Sequence, residues 1–210
     1  MSEFKLANDR LLEVLINEEK VMAKAGAMVA YTGKVKFEKS ILANEGIFGA
    51  LKRKVSNEEF SLMVAKGSGT VFFADLAKEI MHIKMNSEKL FIESSSLLAY
   101  DNTLTTNTAW GGAQGMVAGQ GFFTTTVEGT GNIAIISHGN LISLEVEPNT
   151  PLFIDPNAFI GYKGNLTREF HLDVGWKNLI GQASGESYQV KFTGTGTVFI
   201  QPSERKELFK

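Results

Sequence analysis

Three histidines, His82, His138 and His171, carry the most versatile side-chain chemistry in this chain, and they lie far apart along it. A metal centre on a β framework needs imidazoles clustered with a carboxylate on neighbouring strands. The chain has no His-x-His pair, and the three histidines fall at unlike places in the pattern set out below. They are expected as isolated polar histidines satisfied by backbone groups. "IESSSLL" (92–98) offers three serines without the Gly-x-Ser-x-Gly elbow of a nucleophile, and it reads as a turn. Asp101 and Asp155 read as turn residues that bond their own backbone. The glycine pairs in "GSGTVFF" (67–73), "GTGNIAI" (129–135) and "GTGTVFI" (194–200) have the look of a phosphate cradle. A cradle needs a helix N-terminus directly after the glycines, whereas strand formers follow here. No catalytic, cofactor-binding or metal-ligating residue is assigned. The expectation is a protein that is not an enzyme and carries no cofactor.

Charge narrows the partners. With 21 Lys and Arg against 23 Asp and Glu, the net charge of −2 argues against nucleic acid as a general partner. The one dense basic cluster, Lys52, Arg53 and Lys54, is either a solvated hairpin tip or a contact for an anionic partner such as lipid or RNA. Cysteine is absent, which removes disulfides and thiolate metal sites. The first residues lack the basic start and apolar stretch of a signal peptide, and no apolar run nears the ~20 residues of a membrane span. The expected location is cytoplasmic. "WGGAQGMVAGQGFF" (110–123) is a glycine-rich apolar hairpin that either lies on its neighbour or docks on a membrane or protein partner.

These features sit on a framework written three times. Gly67 and Gly69, Gly129 and Gly131, and Gly194 and Gly196 form pairs that recur at near-constant spacing. Ahead of each lies a block that aligns without a gap and ends in tyrosine, at 12–31, 81–100 and 143–162. Tyr31, Tyr100 and Tyr162 match in it, as do Val21, Leu90 and Leu152, and Val29, Leu98 and Ile160. Between tyrosine and glycine pair stands an aromatic anchor, Phe48, Trp110 or Trp176. Tyrosines and anchors alike are expected in the core. Each copy reads as an apolar strand, a polar turn ("NEEK", "NSEK" or "EPNTP"), a second and third strand, a variable hairpin holding His171 in the last copy, and an alternating strand. The glycine pair then reads as a tight hairpin at positive φ. The last strand stops at Pro202.

The stretches "AKAGAMVAYTGKV" (23–35), "GIFGALKRKVSNEEFSLMVAKGSGTVFF" (46–73) and "FTGTGTVFIQ" (192–201) resemble the altered-inheritance-of-mitochondria family, member twenty-four. The resemblance implies an all-β fold whose repeats are similar to the subunit of the tryptophan RNA-binding attenuation protein, a ring of small β-sandwiches. It implies no catalytic residue. The expected architecture is three tandem small β-sandwich repeats in pseudo-threefold arrangement, at 1–75, 76–138 and 139–203, with a charged tail at 204–210. A unit of roughly sixty residues is marginal alone and leaves sheet edges open. The units are therefore expected to shield one another and the chain to join copies of itself, with a trimer favoured. The leading functional expectation is a non-enzymatic oligomeric β scaffold or interaction protein. The alternatives are a ring that binds a small ligand or RNA between repeats and, third, a cupin-like metal-dependent enzyme built on the histidines.

Overall fold

The structure, a computed structural model, describes residues 1–40, 61–110, 123–172 and 188–203. β-Branched and aromatic residues alternate with polar ones over long stretches, and this is the pattern of strands with one buried face. The strands are β1 (Glu3–Asn8), β2 (Leu11–Lys24), β3 (Met28–Lys39), β4 (Leu62–Phe73), β5 (Glu79–Glu93), β6 (Leu97–Asp101), β7 (Thr105–Trp110), β8 (Phe123–Ser137), β9 (Ile142–Val146), β10 (Leu152–Ile154), β11 (Phe159–Leu172) and β12 (Tyr188–Ile200). Two single 3-10 turns, Ser94–Ser96 and Pro156–Ala158, are the only helical pieces among the described residues. The all-β expectation holds. All twelve described strands belong to one antiparallel sheet, whose main path runs β10-β12-β11-β5-β8-β6-β2-β4-β3.

The strands are longer than the sequence suggests, because two kinds of expected turn are bends within strands. Gly67 and Gly69 lie inside β4, Gly129 and Gly131 inside β8, and Gly194 and Gly196 inside β12, and each strand continues through its pair. The hairpins expected at these six glycines do not exist. The expected positive φ is present at Gly67, Gly69, Gly129 and Gly194, but not at Gly131 or Gly196. What Gly67, Gly69, Gly194 and Gly196 accommodate is the close passage of a neighbouring strand, whereas Gly129 and Gly131 face Thr103 and Leu104 between β6 and β7. A Cβ on Gly69 would stand 2.0 Å from the Thr32 carbonyl oxygen, and one on Gly194 would stand 2.2 Å from that of Asn165. Gly196 pairs with Gly164 of β11, and a Cβ on Gly196 would stand 2.3 Å from the Lys163 carbonyl oxygen. Gly196 is thus required by the nearness of β11 and not by a turn. The turns expected at "NEEK" and "NSEK" are likewise β-bulges inside β2 and β5, with Glu18 at φ 56° and Ser87 at φ 55°.

Bulge and glycine pair face each other. Ile16 and Glu19 pair with Gly69 and Gly67, and Met85 and Glu88 pair with Gly131 and Gly129. The residue between the glycines supplies a hydroxyl to the bulge. Ser68 Oγ accepts from the Glu18 N–H at 3.3 Å, and Thr130 Oγ1 accepts from the Ser87 N–H at 3.1 Å. Two neighbouring strands thus bend together without leaving the bulge's amide unsatisfied. Only "EPNTP" makes the expected turn, between β9 and β10, closed by a bridge between Glu147 and Thr150.

Register repeats with the motif. Tyr31, Tyr100 and Tyr162 pair with Val71, Ile133 and Val198, each two residues beyond a glycine pair. Val21, Leu90 and Leu152 pair with Ala65, Val127 and Phe192, each two residues before one.

Among the described residues, buried apolar side chains form three clusters. The first gathers Leu12, Val14, Val71 and Phe73 and takes in Leu98 and Ala99 from β6. The second gathers Met85, Leu90, Val127 and Ile133 and takes in Ile160 from β11. The third holds Ile154, Phe159, Val190, Phe192 and Val198.

Candidate functional site

Among the described residues, a dense polar cluster lies where β1, β5, β6 and β8 converge. Asp101, almost fully buried at the end of β6, accepts from the Asn132 N–H at 2.7 Å, from Asn132 Nδ2 at 2.8 Å and from the Ser2 N–H at 3.3 Å. Asn132 Nδ2 also donates to the Ser2 carbonyl at 2.9 Å, and its Oδ1 lies 3.0 Å from His82 Nε2. The His82 ring stacks on Phe4, with centroids 5.8 Å apart. The amino group of Met1 bonds Glu19. This cluster pins the N-terminal strand to the second motif copy. Asp101 thus departs from the expected turn role: its carboxylate reaches across the sheet. His82 departs too, being satisfied by a side chain and not by backbone. Asp155 keeps the expected role, with Oδ1 accepting from the Asn157 N–H at 2.7 Å. Among the described residues no group of three or more His, Asp and Glu is placed to hold a metal ion.

His138 directly follows β8, and its N–H donates to Gln201 Oε1 at 3.0 Å. His171 lies in β11, in a regular pairing with Gln189, and not in a hairpin. Trp110 ends β7, paired with Phe123. Phe48, Trp176, the basic cluster Lys52, Arg53 and Lys54, the glycine-rich 111–121 stretch and the tail at 204–210 lie outside the described residues.

Arg168, which the motif alignment passes over, stands on β11 with its guanidinium 5.9 Å from the Phe159 ring centre and 6.0 Å from that of Phe170. Its Nη1 donates to Thr124 Oγ1 at 3.0 Å. Burial lowers its pKa, against a smaller opposite effect of Tyr162. Burial likewise raises the Tyr162 phenol.

The two ends of the sheet path form the surface least like the rest. Among the described strands, β3 pairs only with β4, and β10 only with β12. The aligned tyrosines part company here. Tyr100 and Tyr162 are 2% and 9% exposed, whereas Tyr31 is 48% exposed and meets Phe37 edge-on at 5.2 Å. Tyr31 is therefore not the core residue its alignment suggests. Val29 is 57% exposed, while its counterparts Leu98 and Ile160 are fully buried. The difference lies in what covers them. Tyr100 pairs with Met22 of β2, and Tyr162 pairs with Phe91 of β5, its ring stacked on Phe91 at 4.5 Å. The sequence held a sign of this: β3 carries Lys34, Lys36 and Lys39, the charge that edge strands use against indiscriminate pairing. Its 28–32 half carries none.

These features define a class of protein, one antiparallel sheet of long, coordinately bent strands with two end strands of one described neighbour each. The chain belongs to the Mitochondrial biogenesis AIM24 family, whose profile matches residues 4–203. Its fold is similar to the crystal structure of protein SPYM3_0169 from Streptococcus pyogenes, with a TM-score of 0.74 and 22% identity, over 97% of this chain and 94% of that one. No match is found among curated proteins. Among the described residues no helix is long and apolar enough to cross a membrane.

Proposed function

We propose that the protein is a non-enzymatic β scaffold that works by associating with copies of itself, its three motif copies acting as successive small units at 1–75, 76–138 and 139–203. One observation carries this reading: Val29 and Tyr31 stand exposed on an end strand where the aligned residues of the other copies are buried by a neighbouring strand. An apolar strand edge left open invites pairing, and a surface that repeats a buried one elsewhere in the chain is shaped for the same kind of cover. Repetition of register around each glycine pair supports the division into units. Light scattering on the purified 23.0 kDa chain tests it. The expected result at micromolar concentration is a defined multiple of the chain mass, with a trimer the first state to look for. A monomer overturns the reading.

A further inference from the structure

Among the described residues two junctions join successive motif copies, and they share one register. In the first, Val21, Met22 and Ala23 of β2 pair with Asp101, Tyr100 and Ala99 of β6. In the second, Leu90, Phe91 and Ile92 of β5 pair with Lys163, Tyr162 and Gly161 of β11. Leu90 is the counterpart of Val21, and Tyr162 is the counterpart of Tyr100, so the same positions meet in the same order. The third copy has the same donor segment, Leu152, Phe153 and Ile154 on β10. The first copy has the same acceptor segment, Ala30, Tyr31 and Thr32 on β3. These two segments lie on the strands at opposite ends of the sheet path.

Core composition agrees. The first cluster is completed by Leu98 and the second by Ile160, each lent by the copy that follows. The third cluster contains no described residue at that position, and the one aligned residue left, Val29, is exposed. Phe153 is 44% exposed as well.

We infer that β10 of one chain pairs antiparallel with β3 of a second copy of this chain, in the register Leu152 with Thr32, Phe153 with Tyr31 and Ile154 with Ala30. Phe153 then stacks on Tyr31 as Phe91 does on Tyr162, and Val29 closes the third core as Leu98 and Ile160 close the others. The occupant is a second copy because the partner edge is already written in this chain, with its register shown twice. The contact is head-to-tail, joining unlike edges. This inference rests on the scaffold reading and specifies its interface.

Absence of cysteine makes the test clean. Full-length Tyr31→Cys and Phe153→Cys variants are purified separately, mixed and oxidised. Directly opposed residues bring their Cβ atoms to about 5 Å, and the expected product is a disulfide between the two different variants, with little between copies of either one alone. Val29→Lys is expected to weaken association at least tenfold while leaving the dilute chain folded, since Val29 is exposed within the chain. Thr32→Cys with Leu152→Cys repeats the cross-link should the first pair fail to fold. A multimer by light scattering that forms neither cross-link overturns the edge pairing but leaves the scaffold reading standing, and directs attention to another occupant of the edge. A monomer overturns both. A Tyr31→Cys/Phe153→Cys double variant that closes within one chain overturns the second copy as occupant.

Discussion

At the residue scale, the glycine pair is the most informative motif and the most misleading. Positive φ serves a tight turn and a mid-strand crossing equally well, so "GTG" between β-branched runs reads as a hairpin. What decides for a crossing is a carbonyl on the neighbouring strand, which local sequence does not reveal. Gly196 shows this most plainly, since it has no positive φ and still leaves no room for a Cβ beside Lys163 O. Gly69→Ala places a methyl group against Thr32 O, and Gly194→Ala does so against Asn165 O. Each is expected to cost about 2 kcal/mol or more in urea unfolding. Gly26→Ala, with φ +82° but nothing within 4 Å of the added carbon, is expected to cost about 1 kcal/mol. Asp101 misleads in another way. Asx residues beside strands usually serve their own turn, yet this one collects three donors, two from Asn132 of β8 and one from Ser2 just ahead of β1. Asp101→Ala strands those buried donors, and thermal or chemical unfolding is expected to show a loss of about 2–4 kcal/mol.

At the element scale, the strands could be located from alternation but not measured in length. Val190 and Phe192 are buried and Gln189 and Lys191 partly exposed, as a half-buried strand requires. The bulges at Glu18 and Ser87 defeated the reading, since polar residues at a bend resemble polar residues at a turn. Their partner was in view as the hydroxyl of Ser68 or Thr130, but its role appears only when the two strands lie side by side. The link from the first copy to the second is held by charge. Burial alone would raise the Asp75 carboxyl, but Lys24 at 2.7 Å and Lys78 at 3.6 Å outweigh it and hold the carboxyl below its ordinary value of 3.8. A carboxylate depressed in the folded state stabilises fully above its unfolded pKa and loses that contribution as pH falls through the folded one. Wild type is therefore expected to exceed Asp75→Asn by about 1 kcal/mol at neutral pH. The gap should begin to close below pH 3.8 and vanish once the folded-state carboxyl is protonated, as acid unfolding curves will show.

At the scale of the whole molecule, the alignment of three blocks anticipated which positions correspond but not which of them would lie open. Tyr31, Tyr100 and Tyr162 are equivalent in sequence and in register, and only the position of their strands along the sheet separates an exposed ring from two buried ones. A repeat read from sequence treats all copies alike, whereas a finite row of copies must have a first and a last. The histidines follow the same logic. Their unlike surroundings, His82 on Asn132, His138 beside Gln201 and His171 within β11, match their unlike places in the repeat.

The proposed head-to-tail contact would govern how an assembly of these chains responds to dilution. Unlike edges that meet do not count their members; the arc that each chain subtends does. If that arc divides a full circle, the last chain meets the first, every β10 is capped, and the particle holds one size over a wide range of concentration. If it does not, one β10 and one β3 always remain at the ends, and the particle lengthens as chains are added. Size measured across a dilution series would therefore distinguish a closed ring from an open row.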